Sequence, residues 1–262
     1  MAASSNGFAF SARGEARGER REGYSRFDSV YRLWSFVSLL ALPITDFMSS
    51  VQVRPLPAAS LTRVLIEGPA GKIETDINDP GGARRGLALI AHPNPVQGGT
   101  KDNKVVTTLA KAFFALGYVA ARPNFRGVGS SGGHHDEGRG ETDDLLAVAG
   151  YLKQQYGGLP LVLAGFSFGS FVQARVAKRL KPHRMLLVGP AVNRFPAETV
   201  PSGTLVIHGE HDDVVPLAAV LDWARPQGLP VIVVPGGEHF FHGRLNLLSD
   251  IVIQHFRLVA EV

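Results

Sequence analysis

The segment Leu161-Val162-Leu163-Ala164-Gly165-Phe166-Ser167-Phe168-Gly169-Ser170 constrains this chain more than any other. Its continuous apolar run describes a strand buried on both faces, the pattern of a parallel sheet covered by helices. The strand runs into G-x-S-x-G, and a helical pattern opens at Phe168. The pentapeptide alone is a weak signal in a chain with 30 glycines. It gains meaning because a strand precedes it and a helix follows. In that setting the turn strains the backbone at Ser167 and lifts its hydroxyl clear of the sheet. Gly165 and Gly169 are required because a Cβ at either would clash where strand and helix approach. Ser167 is therefore a candidate nucleophile.

The surrounding pattern agrees. From Leu61 onward, strands read as Arg63 to Glu67, Ile73 to Ile77, Leu87 to Ala91, Tyr118 to Ala121, Leu161 to Ala164, Met185 to Val188, Leu205 to His208 and Val231 to Val234. The first two are joined as a hairpin across Gly68-Pro69-Ala70-Gly71. Helical patterns lie between them at about Asn103 to Leu116, Thr142 to Gln155, Phe168 to Leu180, Leu217 to Ala224 and Arg244 to Val259. This alternation predicts an α/β fold, a mostly parallel sheet of about eight strands with helices on both faces.

A serine hydroxyl is a poor nucleophile at its own pKa, so Ser167 needs a general base and a carboxylate to orient it. In the α/β-hydrolase arrangement these follow the serine in the order acid, then histidine. After the strand Leu205 to His208 comes Gly209-Glu210-His211-Asp212-Asp213-Val214-Val215-Pro216, placing two carboxylates at a strand's C-terminal end. Asp212 stands three after Gly209 and is the candidate acid, matching G-x-x-D-x-V-V-P. Asp213 reads as a cap for the helix that opens near Pro216. After the last strand, Gly236-Gly237-Glu238-His239 puts His239 on a loop as the candidate base, whereas His242 lies nearer the final helix. An oxyanion hole takes one N–H after the nucleophile and one from an earlier strand's loop. Phe168 supplies the first. In His92-Pro93-Asn94-Pro95, prolines carry no N–H, so Asn94 is the second donor.

Together these residues resemble the small bacterial α/β-hydrolases of the branch with an H-P-x-P loop, related to serine esterases and dienelactone-hydrolase-like enzymes. The resemblance covers about Leu61 to Phe256. It rests on His92 to Pro95 with Gly98-Gly99-Thr100 and Asp102-Asn103-Lys104, on Asn124-Phe125-Arg126-Gly127-Val128-Gly129-Ser130, and on Gly165 to Gly169, His208 to Pro216 and Gly237 to Phe241. It implies a serine hydrolase cleaving carboxylic esters or related acyl compounds through an acyl-enzyme. Thioesters, amides or peptides, dienelactones and cofactor-free haloperoxidase chemistry use the same residues, and a non-catalytic binding protein can share the fold. Only 16 residues, Gly189 to Thr204, separate Val188 from Leu205, too few for a lid domain. The expected site is open and shallow, suited to small or extended acyl groups.

Other signals point elsewhere or nowhere. Residues 1–47 fall outside the resemblance, and 48–262 form the expected hydrolase domain. Residues 1–28 are rich in Arg, Glu, Gly and Ser, a composition that predicts disorder. The apolar run Leu33 to Ile44 is far shorter than the roughly 20 residues of a spanning helix, so no stable membrane span is expected. An Arg-rich flank before that run has a signal-like look, but acidic residues punctuate it and no cleavage pattern follows. The expected location is cytoplasmic, with export the alternative if the segment is a true signal, and Met48 is a candidate start. The chain contains no Cys, which excludes thiolate nucleophiles, zinc-thiolate sites and iron–sulfur clusters. Its net charge of +4 is dispersed, so no nucleic-acid partner is expected and the partner is a small-molecule acyl substrate. Gly127 to Gly132 spells G-x-G-x-x-G, but Gly133 to Gly140 intervenes before the next helix, which fails the dinucleotide context. Neighbouring His134, His135, Asp136 and Glu137 in one Gly-rich loop are poorly placed to converge on a metal, and Asp212 beside His208 and His211 is better used as the acid. No cofactor is expected. Phe113, Phe114, Phe166, Phe168 and Phe171 read as packing residues, with Phe168 also a candidate wall of the acyl pocket.

Overall fold

The computed structural model describes residues 58–196 and 198–257. The expectations for residues 1–47, the Leu33 to Ile44 run and the Met48 start lie outside these. Eight strands form one sheet: β1 (Ser60–Gly68), β2 (Gly71–Asp79), β3 (Gly86–Ala91), β4 (Tyr118–Pro123), β5 (Leu161–Phe166), β6 (Arg184–Val188), β7 (Leu205–Gly209) and β8 (Val231–Val234). Their spatial order is β1-β2-β4-β3-β5-β6-β7-β8. β1 pairs antiparallel with β2, and β2 with β4; all other neighbours are parallel. Among the described residues four α-helices connect strands, α1 (Lys104–Ala115), α2 (Arg139–Tyr156), α3 (Phe168–Leu180) and α4 (Leu217–Ala224), and a fifth, α5 (Leu245–Arg257), follows β8. The chain adopts the α/β-hydrolase fold, with no lid domain among the described residues.

The period-2 alternation of the central strands sorts side chains onto two faces. Ala88, Ile90, Val162, Ala164, Leu186 and Val188 pack with Val105, Leu109 and Phe113 of α1 and Leu248, Val252 and Phe256 of α5. Leu87, Leu89, Ala91, Leu163 and Leu187 face the other way, against Leu145, Val148 and Leu152 of α2 and Val172 and Val176 of α3. Both faces are therefore apolar, which is why these strands read as unbroken runs. Each fully buried Val, Leu, Ile or Phe among them contributes roughly 1.5–3 kcal/mol.

Most element ends shift by one to three residues, and two helix starts depart from expectation for local reasons. The α2 helix begins at Arg139 rather than Thr142, because Gly138 adopts φ 89° and the Glu141 carboxylate accepts the Gly138 and Asp136 N–H groups, both at 2.8 Å. Asp213 does not cap α4. The capping position is Pro216, with no side-chain cap bond, and Asp213 is exposed. No helix among the described residues is long and apolar enough to cross a membrane.

Topology sets where a site can form. β3 leads through α1 to β4 on one side, and β4 leads through α2 to β5 on β3's other side. The connections diverge between β3 and β5, and a crevice opens at the carboxyl ends of those strands. The loops leaving β3, β5, β7 and β8 carry Asn94, Ser167, Asp212 and His239 to that edge. Within residues 189–196 and 198–204 there is no helix, so nothing from that connection covers the crevice as a helical cap.

Candidate active site

Ser167 follows β5 directly and adopts φ 54° and ψ −119°, a conformation costly for any residue with a Cβ. A Cβ on Gly165 would stand 2.5 Å from the Gly169 carbonyl oxygen, and one on Gly169 would stand 2.4 Å from that of Ala91. Strand, turn and helix thus touch backbone to backbone. The Ser167 N–H is occupied, donating to the Val188 carbonyl at 3.0 Å, so it is not free to face a substrate. The Phe168 N–H opens α3, where the first turn has no intrahelical acceptors and the helix dipole is positive. The Phe168 ring is fully buried among Phe125, Phe171, Phe195 and His135. It is a core residue and not the acyl-pocket wall the sequence suggested.

The Ser167 Oγ lies 3.0 Å from Nε2 of His239, and the His239 Nδ1 lies 2.7 Å from Oδ2 of Asp212. All three side chains are buried. The His239 ring packs against both Phe166, at a centroid distance of 5.0 Å, and Phe240, at 5.1 Å. Oδ1 of Asp212 accepts from the N–H groups of Val214 at 3.0 Å and Val215 at 2.8 Å. Burial alone would raise this carboxyl. The His239 hydrogen bond and the Val215 N–H overcome burial and hold it below the usual carboxylate range, so it stays ionised. An ionised Asp212 requires the proton on Nδ1 and leaves the Nε2 lone pair facing the hydroxyl of Ser167.

Asn94 follows β3 and starts a 3-10 turn over Pro95–Gln97. Its side-chain oxygen accepts from the Val96 N–H at 3.0 Å, which occupies the side chain in the loop itself and leaves the backbone N–H as the group it offers. His242 pairs with Glu238 on the surface, away from Ser167. His135 pairs with Glu141, and Asp136 with Arg139, so the His134 to Glu137 stretch is engaged in holding its own loop and the start of α2.

Two histidines at the site carried no sequence assignment beyond their motifs. His208 is fully buried; its Nε2 donates to the Val215 carbonyl at 2.8 Å and stands 3.6 Å from Oδ2 of Asp212, bracing the turn that holds Asp212. His92, also fully buried, bonds the Pro93 carbonyl through Nδ1 at 2.7 Å and the Phe125 N–H through Nε2 at 2.9 Å. Burial pushes the His92 imidazole down to about 4, partly opposed by the Pro93 carbonyl. This has a thermodynamic consequence. An unfolded histidine binds its proton near pH 6.5 whereas folded His92 refuses it, so stability is intact above about pH 6.5 and falls as the pH drops toward 4. His208, lowered by the same cause, adds to the fall. Thermal melts between pH 7.5 and 4 are expected to show Tm decreasing with acidity, with a shallower slope in His92→Asn. A Tm independent of pH across that window would contradict the assignment of neutral, buried imidazoles.

Known proteins share this architecture. Residues 95–202 match the family described as serine aminopeptidase, S33, a span that includes Ser167 and ends before Asp212 and His239. A serine hydrolase without a lid from Xanthomonas campestris is 36% identical and superposes with a TM-score of 0.71 over 78% of this chain and 96% of that one. An α/β serine hydrolase homologue from Coxiella burnetii is 38% identical, with a TM-score of 0.69 over 74% of this chain and 96% of that one. An uncharacterized protein of Rickettsia prowazekii is 29% identical over 207 residues, 73% of this chain and 87% of that one.

Proposed function

This chain belongs to the α/β serine hydrolases, and from that membership we propose that it cleaves carboxylic esters through an acyl-enzyme formed on Ser167. The observation that carries the reading is the continuous line from Oγ of Ser167 to Nε2 of His239 at 3.0 Å and from Nδ1 to Oδ2 of Asp212 at 2.7 Å. His239 takes the hydroxyl proton as Oγ bonds to the ester carbonyl carbon, and the carbonyl oxygen becomes an oxyanion held by the N–H groups of Phe168 and Asn94. Each such donor lowers the barrier by about 2.7–4 kcal/mol. The C–O bond then breaks, and His239 returns its proton to the departing alkoxide. Water enters, His239 accepts one of its protons as the water oxygen bonds to the acyl carbon, and the acyl–Oγ bond breaks as His239 passes that proton to Oγ, releasing the acid and restoring Ser167. Asp212 keeps the imidazole in one tautomer and stabilises it when charged.

The loops themselves suggest the substrate. Val96, two residues after Asn94, and Phe240, next to His239, are exposed apolar side chains. An open mouth with such residues suits short or extended acyl groups that need no enclosing lid. The test is hydrolysis of p-nitrophenyl acetate, butyrate and palmitate beside an acyl thioester and an aminoacyl p-nitroanilide. Short oxygen esters are expected to give the highest kcat/KM. A preference for the anilide would move the reading to peptidase chemistry, as the match to serine aminopeptidases would have it, and a preference for the thioester would move it to thioesterase chemistry. In the same assay Asp212→Asn is expected to lose about 10⁴-fold in kcat through the wrong tautomer. Exposed Asp213→Asn should change it little, and the reverse result would move the acid by one residue.

A further inference from the structure

We infer that His92 and Lys101 are positioning residues that clamp the Pro93–Asn94 peptide from two sides and so aim the Asn94 N–H at the oxyanion; this rests on the reading of Asn94 given under Proposed function. A planar trans peptide points its C=O and N–H in opposite directions, so fixing the Pro93 carbonyl fixes the Asn94 N–H. His92 does the fixing on one side. Its Nδ1–H donates to the Pro93 carbonyl at 2.7 Å, and its Nε2 accepts from the Phe125 N–H at 2.9 Å. Because a backbone N–H can only donate, Nε2 must be unprotonated and Nδ1 must carry the proton.

The other side runs through Gly99 to Lys101. The Gly99 N–H donates to the Asn94 carbonyl at 3.0 Å. A Cβ on Gly99 would stand 2.1 Å from the Pro93 carbonyl oxygen, so this backbone lies directly against the clamped peptide. Two residues on, Lys101 is 1% exposed in a loop where a lysine would ordinarily reach solvent. Its Nζ donates to Asp76 at 3.0 Å and Asp102 at 3.1 Å, its carbonyl accepts from Arg122 at 2.9 Å, and its N–H donates to Oδ1 of Asn124 at 2.9 Å. Both arms of the clamp therefore end on adjacent residues, Asn124 and Phe125. A buried ion pair adds little net stability over apolar packing, yet breaking one is costly, so it resists displacement more than it stabilises. That is the property required of a support for an oxyanion donor.

The test compares wild type with Lys101→Met, His92→Phe, His92→Asn and Gly99→Ala, reading kcat and KM for p-nitrophenyl butyrate, affinity for phenylboronic acid, and Tm. Gly99→Ala removes no charge and pushes on the Pro93 and Asn94 carbonyl groups, so it keeps the test open if Lys101→Met does not fold. A misplaced donor is expected to lower kcat about 10²-fold. KM should change little, and boronate affinity should fall in step with kcat because the tetrahedral adduct needs the same N–H. His92→Asn, which retains a donor for the Pro93 carbonyl, should recover part of what His92→Phe loses. Folded variants that keep both kcat and boronate affinity, or that change only KM, would overturn the inference. The underlying reading fails separately, if wild type neither hydrolyses the ester nor binds the boronate.

Discussion

Replacing Ser167 with Ala is expected to lower kcat for ester hydrolysis by about 10⁶-fold while leaving the protein folded. The Ser167 Oγ makes one hydrogen bond, to His239, whereas its backbone is held by the N–H bond to Val188 and by the close approach of Gly165 and Gly169. None of those backbone contacts depends on the hydroxyl. Alanine keeps the Cβ and so carries the same strain at φ 54°. Stability should therefore stay within about 1 kcal/mol of wild type. Any residual rate would come from the oxyanion donors and substrate binding alone. Steady-state kinetics on p-nitrophenyl butyrate with a thermal melt of the same preparation checks both halves. A Ser167→Ala protein with wild-type kcat would remove Ser167 from the mechanism.

The second large effect is His239→Ala, for which a comparable loss of kcat is expected, because nucleophile and base act as one unit. Here the stability outcome differs. Without the imidazole, Oδ2 of Asp212 loses its 2.7 Å partner, although Oδ1 keeps the Val214 and Val215 N–H groups. An unsatisfied buried acceptor costs about 1–3 kcal/mol, more when charged. The ring also leaves a gap against Phe166 and Phe240. His239→Ala should thus be as inactive as Ser167→Ala but less stable. Equal stability of the two variants would mean that Asp212 finds another partner when the ring is gone.

Much of this architecture is readable in the chain, and what is not has physical reasons. Element types follow from periodicity: runs such as Leu161 to Ala164 are apolar throughout because each face of the sheet meets helices. The convergence of Ser167, Asp212 and His239 could be anticipated because loops at the carboxyl ends of parallel strands meet whatever their separation in sequence. The antiparallel pairing of β2 with β4 is a property of the sheet's edge that no local pattern carries. The start of α2 was missed because a glycine at φ 89° and a carboxylate turned back onto the Gly138 N–H replace the usual capping side chain. Lys101 looks like a surface residue in a Gly-rich loop. Its burial depends on Asp76 from β2 and Arg122 from β4, contacts that exist only after the sheet assembles. The same is true of Phe168, whose place in the core is decided by Phe125 and Phe195 from distant loops.

The most direct test of the acyl-enzyme account is labelling of the purified protein with a fluorophosphonate, followed by peptide mass spectrometry, with Ser167→Ala as the control. The account predicts a single modified residue, Ser167, and no modification of the variant. A folded wild-type protein that takes up no label, or that is labelled equally after Ser167→Ala, would contradict it.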